Sequence, residues 1–146
     1  MEVVRLTKRV GDEGLEFAEF QGYLATFDNV DLGGDRIRKG AFKKSLTENP
    51  EVPLLWQHWP EELLGKLVDI REDEKGLKVR GVLNLAVEKA REAYALLRQG
   101  ALSGMSIGYD SIKDKMDGDV RELLEIKLWE GSLVTFPMNQ EARIEG

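Results

Sequence analysis

Read at every second position, the segment from Leu124 to Phe136 spells Leu124, Ile126, Leu128, Glu130, Ser132, Val134 and Phe136. Alternation of that length specifies a strand with one buried face, because successive side chains of a strand point to opposite sides. The row carries a carboxylate in its middle. A carboxylate buried alone is costly, so Glu130 needs donors or a cation. An imidazole N–H would serve, and the acid would then orient the ring and stabilise its charged form. A structural pairing with Arg or with backbone N–H groups would serve as well.

Other segments supply neighbours for such a strand. Leu15 to Phe27 is rich in aromatic and apolar residues and reads as one or two strands. Asp28 to Asp35 is a turn-rich loop; it lacks the ligand spacing and closing Glu of a calcium loop. Val52 to His58 reads as a strand with Leu54, Trp56 and His58 on one face. Gly65 to Ile70 and Leu77 to Leu83 pair as a hairpin across Glu72 to Gly76, and Gly104 to Lys113 joins Val120 to Phe136 across Asp114 to Asp119.

Two helices are expected. Ile37 to Leu46 is short and ends before Asn49-Pro50. Ala86 to Gln99 is capped by Asn84, turns Val87, Ala90, Tyr94 and Leu97 to one face, and stops at Gly100. Strands outnumber helices and no regular βαβ alternation occurs. The expected class is therefore mostly β (α+β), a mainly antiparallel sheet or barrel with a few helices. At 146 residues, 1–146 reads as a single domain, and a domain of that size buries about 70% of its unfolded surface.

Composition narrows the chemistry. The net charge of −6 speaks against a nucleic-acid backbone as partner, since phosphate binding needs clustered cations. The densest basic group, Arg36, Arg38, Lys39, Lys43 and Lys44, reads as the solvated face of the short helix. No apolar run is long enough for a membrane span, and the N-terminus lacks the apolar core of a signal peptide. There is no cysteine and one histidine, so disulfides and a cysteine nucleophile are excluded and a metal centre is poorly supplied. No cofactor is expected. Any mechanism that needs imidazole must use His58.

Gly104-Met105-Ser106-Ile107-Gly108 spells G-x-S-x-G, the nucleophile elbow of α/β-hydrolases. That reading fails twice. The chain after Ser106 continues as a strand rather than a helix, and the histidine precedes the serine instead of following it. Alternation puts Met105, Ile107 and Tyr109 on the core side and Ser106 with Gly104 and Gly108 on the other. A strip cleared of bulk admits an extended peptide to the hydroxyl; equally, small residues let a neighbouring element pack closely. His58 has two readings as well, a hydrogen-bonded core residue or a base.

Four stretches, in order, resemble the prohead (capsid maturation) proteases of tailed phages and, more remotely, the herpesvirus assemblins. They are Arg38-Lys39-Gly40-Ala41-Phe42, then Leu54-Leu55-Trp56-Gln57-His58 running to Leu64-Gly65-Lys66, then Gly100 to Tyr109, and last Leu128 to Asn139 with its Pro-x-Asn turn. The resemblance spans Leu15 to Ala142. It implies a small antiparallel β-barrel with a few surrounding helices, and a serine endopeptidase that cleaves capsid or scaffolding protein during head maturation, with self-cleavage. It matches His58 to the catalytic histidine, Ser106 to the nucleophile and Glu130 to the third position, with Ser103 as a rival nucleophile that alternation places on the core side. Oxyanion donors would lie near Met138 and Asn139. The implied setting is the host cytoplasm inside the immature head, as a homodimer, without nucleic acid or membrane. A non-catalytic capsid-assembly or scaffolding module of the same fold, and a small-molecule esterase, are the alternatives.

Overall fold

The computed structural model describes residues 7–10 and 14–145. Within them run β1 (Thr7–Val10), β2 (Glu16–Thr26), β3 (Asp35–Ile37), α1 (Lys43–Glu48), β4 (Val52–Trp56), β5 (Trp59–Glu72), β6 (Gly76–Asn84), α2 (Glu88–Gln99), β7 (Gly104–Asp117) and β8 (Val120–Val134). The fold is mostly β, as expected. The strands form one sheet in the order β1-β2-β6-β5-β4-β8-β3, with β7 also on β8. β7 pairs antiparallel along the whole of β8, which leaves the other edge of β8 to be shared. Leu54–Trp56 take its C-terminal part and β3 its N-terminal part, both parallel to it.

The expected barrel is met only in part, because this strand path stays open between β2 and β7. Residues 142–145 lie across the gap. On one side the Tyr23 N–H donates to the Arg143 carbonyl at 2.9 Å, and the Glu145 N–H to the Gln21 carbonyl at 2.8 Å. On the other, the Met105 N–H donates to the Ala142 carbonyl at 2.8 Å, and the Ile144 N–H to the Ser103 carbonyl at 3.0 Å. Gly22 permits this approach: a Cβ there would stand 2.5 Å from the Arg143 carbonyl oxygen.

Both helices start later than the sequence suggests. Asp35–Ile37 is claimed by pairing with β8, so α1 begins only at Lys43. Between them the Glu72 carboxylate accepts from the Gly40 and Phe42 N–H groups. The basic group is consequently not one helical face. Arg36 reaches the buried Glu122 at 3.0 Å, Arg38 pairs with Asp28 at 2.9 Å, and Lys39 with Glu74. α2 begins at Glu88, and Asn84 Oδ1 accepts from the Ala86 N–H upstream of it instead of capping it. Its inward face is Ala90, Ala93 and Leu97, with Val87 and Tyr94 half-buried, and Gly100 closes it with a left-handed φ of 82°.

The core packs tightly around the β2–β6 ladder. Phe20 stands opposite Gly81, with its ring laid over the glycine. A Cβ at position 81 would lie 2.1 Å from Phe20 Cζ, and Phe20 is fully buried with no room to retreat. Gly81→Ala is therefore expected to destabilise the protein by about 1–3 kcal/mol through overpacking. The check is a lower urea midpoint at unchanged m-value.

Candidate active site

The alternating row of β8 is buried over a shorter span than its spelling suggests. Ile126, Leu128, Glu130, Ser132 and Val134 are buried, whereas Leu124 is 40% and Phe136 90% exposed. Phe136 lies beyond the end of β8, so alternation no longer controls its direction. In the β7–β8 register Ser106 faces Ser132 and Gly108 faces Glu130. One two-stranded ladder thus delivers a hydroxyl and a carboxylate two residues apart.

His58 arrives from a turn, not from the strand face predicted for it. β4 ends at Trp56, which pairs with Trp59 at the start of β5, leaving Gln57–His58 as a two-residue hairpin loop. Both loop residues have positive φ, 51° and 64°, as the favoured tight hairpin turn requires. Non-glycine residues hold that conformation only when their surroundings fix it. Here β8 and the chain beyond it do so. The Gln57 N–H donates to the Leu133 carbonyl, Gln57 Nε2 to Thr135 Oγ1, and the His58 N–H to Ser132 Oγ at 3.0 Å. His58 is thereby exposed and turned over the β7–β8 ladder, which rules out the packed-core reading.

His58 Nε2 lies 2.9 Å from Ser106 Oγ, and His58 Nδ1 lies 2.5 Å from Glu130 Oε1. With the proton on Nδ1, the ring donates to the carboxylate and leaves Nε2 as acceptor for the serine hydroxyl. Glu130 is buried, so the acid end of this chain is shielded while the serine end opens to solvent. The second carboxylate oxygen is also engaged: Ser132 Oγ donates to Glu130 Oε2 at 2.7 Å.

The glycines of the G-x-S-x-G stretch make room for the protein's own groups. A Cβ at 108 would stand 2.2 Å from Glu130 Oε1, and one at 104 would stand 2.8 Å from Pro137 Cδ. Close packing, rather than access for a peptide, explains both. Gly108→Ala is expected to push the carboxylate off His58, and a shifted or lost His58 imidazole N–H signal in proton NMR of the purified variant checks this. Ser103 does not face the core with Met105 as alternation suggests; it precedes β7, and its hydroxyl accepts from Arg143 Nη1 at 2.9 Å.

Ser106 and His58 open onto a cleft of about 420 Å³ that also takes in Asp35, Tyr109, Met138 and Asn139. The Arg121 guanidinium clasps Asp35 at 2.9 and 3.0 Å and holds its carboxyl below the usual range. Burial, then the Asp35 charge, pushes the Tyr109 hydroxyl up to about 12, so at neutral pH it is a donor, bonded to Asp35 at 3.3 Å. Neither group is free to act as a base. Sequence reasoning named His58, Ser106 and Glu130 but gave Ser132 no role. The available signal was its period-two spacing from a buried acid on the same strand face.

A family model described as caudovirus prohead serine protease matches residues 5–146. The prohead protease of Enterobacteria phage HK97 is 36% identical over 135 residues, covering 86% of this chain and 58% of that protein. The capsid polyprotein of Pseudomonas phage PAJU2 is 28% identical over 118 residues, covering 75% of this chain and 18% of that protein. The chain thus spans less than two thirds of either relative. Among solved structures, the varicella-zoster virus protease aligns with a TM-score of 0.57 at 15% identity, over 88% of this chain and 63% of that one. The KSHV protease in complex with a hexapeptide phosphonate inhibitor aligns at 0.56 and 12% identity, over 86% and 63%. At such identities the likeness is one of fold.

Proposed function

Because the chain belongs to the caudovirus prohead serine protease family, we propose that it is a serine endopeptidase acting on capsid or scaffolding protein inside the immature head of a tailed phage. Ser106 attacks the scissile carbonyl. His58 takes the serine proton through Nε2 and returns it to the leaving amine, while Glu130 holds Nδ1 and stabilises the imidazolium. The observation that carries this reading is the unbroken contact from Ser106 Oγ through His58 to Glu130, at 2.9 and 2.5 Å. A base within hydrogen-bond reach of its nucleophile is what proton transfer needs. It favours the enzyme over a non-catalytic scaffolding module, for which the two side chains have no reason to meet.

Backbone N–H groups near Met138 and Asn139, which line the same cleft, are the proposed stabilisers of the oxyanion. Capsid protein as substrate draws on the names of the two phage relatives. Ring closure of the sheet through residues 142–145, self-cleavage, pairing of two copies and a setting in the host cytoplasm belong to the same proposal. Among the described residues no helix is long and apolar enough to cross a membrane.

Incubation with the cognate capsid protein, followed by mass spectrometry of the products, tests the function. Discrete fragments from one or a few peptide bonds are expected. Turnover of simple esters with the capsid protein left intact would point instead to a small-molecule esterase.

A further inference from the structure

Ser132 does not line the cleft, yet it holds His58 at both ends. It is fully buried near the C-terminal end of β8, between Leu55 of β4 and Ser106 of β7. Its hydroxyl oxygen accepts the backbone N–H of His58 at 3.0 Å, and its hydroxyl proton goes to Glu130 Oε2 at 2.7 Å. The other oxygen of that carboxylate binds His58 Nδ1. A closed loop of contacts results, from the His58 main chain through Ser132 and Glu130 back to the His58 ring.

Each link has a physical purpose. A carboxylate held through one oxygen can still swing about its Cγ–Cδ bond; fixing Oε2 removes that freedom and leaves Oε1 aimed at Nδ1. The anchored N–H belongs to a residue at φ 64°, which a non-glycine residue adopts only under external constraint. A serine is suited to both tasks, since a hydroxyl can accept from one partner and donate to another. Alanine would remove both links together.

We infer that Ser132 is a positioning residue of the Ser106–His58–Glu130 machinery, locking the His58 turn and the Glu130 carboxylate into one geometry. This rests on the protease reading above. Ser132→Ala is expected to lower kcat for capsid-protein cleavage by about 10–100-fold, in line with the cost of small misplacements at a reacting centre. KM should stay within about twofold, because Ser132 does not line the cleft.

Two comparisons separate positioning from mere stability. Ser45 is also buried, and its hydroxyl accepts the Leu128 N–H of the same strand at 2.9 Å, with no hydrogen bond to His58 or Glu130. Ser45→Ala removes a similar buried bond and should leave kcat unchanged, while Ser132→Thr, which keeps the hydroxyl, should restore most of it. The second readout is proton NMR. The chain has one histidine, so a far-downfield imidazole N–H signal belongs to His58 alone. That signal should broaden or vanish in Ser132→Ala and persist in Ser45→Ala. Should Ser132→Ala fail to fold, Ser132→Cys, with a weaker donor of similar shape, is expected to give an intermediate kcat. Wild-type kcat and an intact His58 signal in the folded Ala variant, or in the Cys variant where Ala does not fold, would overturn this inference alone. A wild-type protein without cleavage would overturn the protease reading and this inference with it.

Discussion

Ser106→Ala is expected to reduce capsid-protein cleavage by about a million-fold, with the fold and substrate binding preserved. The magnitude is that seen when a serine–histidine pair loses its nucleophile, which leaves only binding and oxyanion stabilisation at work. The fold should survive because β7 is held to β8 through backbone bonds that need no hydroxyl, and Ser106 is only half-buried. His58→Ala should cost about as much, since a serine hydroxyl without its base is a poor nucleophile. The double variant should be no slower than either single one, because the two residues act as a unit. Single-turnover assays on each variant, with binding measured separately, give all of these values.

The second large effect concerns the acid. Glu130→Ala is expected to lower kcat by about 10⁴-fold, the loss typical of removing the third member of such a triad. It should also cost stability, unlike the serine variant. Ser132 is fully buried and would keep a hydroxyl proton with no carboxylate to receive it. An unsatisfied buried donor costs about 1–3 kcal/mol, so a lower urea midpoint should accompany the slower rate. Glu130→Gln should keep most of the stability and little of the rate. Its amide fills the same space but offers the His58 ring no charge to stabilise the imidazolium.

Much of this was legible in the sequence where periodicity ruled. The period-two row on β8 announces a half-buried strand, and the carboxylate within it announces a polar partner. Gly100 likewise marked the end of α2 through a conformation that glycine adopts freely. The failures share one cause, the interruption of a local pattern by a long-range contact. Pairing with β8 drew Asp35–Ile37 out of the expected helix. Two left-handed residues ended the alternation at Trp56 and swung His58 into the site. Gly104 and Gly108 looked like a cleared path, but their missing side chains are filled by Pro137 and Glu130 from elsewhere in the chain. Ser132 was invisible because its value lies in two contacts, one to a main-chain N–H more than seventy residues away.

Everything in the functional reading turns on Ser106 being made nucleophilic by His58. The most direct measurement is the position of covalent modification after exposure to a fluorophosphonate, mapped by peptide mass spectrometry. One adduct is expected, on Ser106, and it should be lost in His58→Ala. An adduct on Ser103, or a protein that cleaves its capsid substrate while Ser106 stays unmodified, would contradict the mechanism.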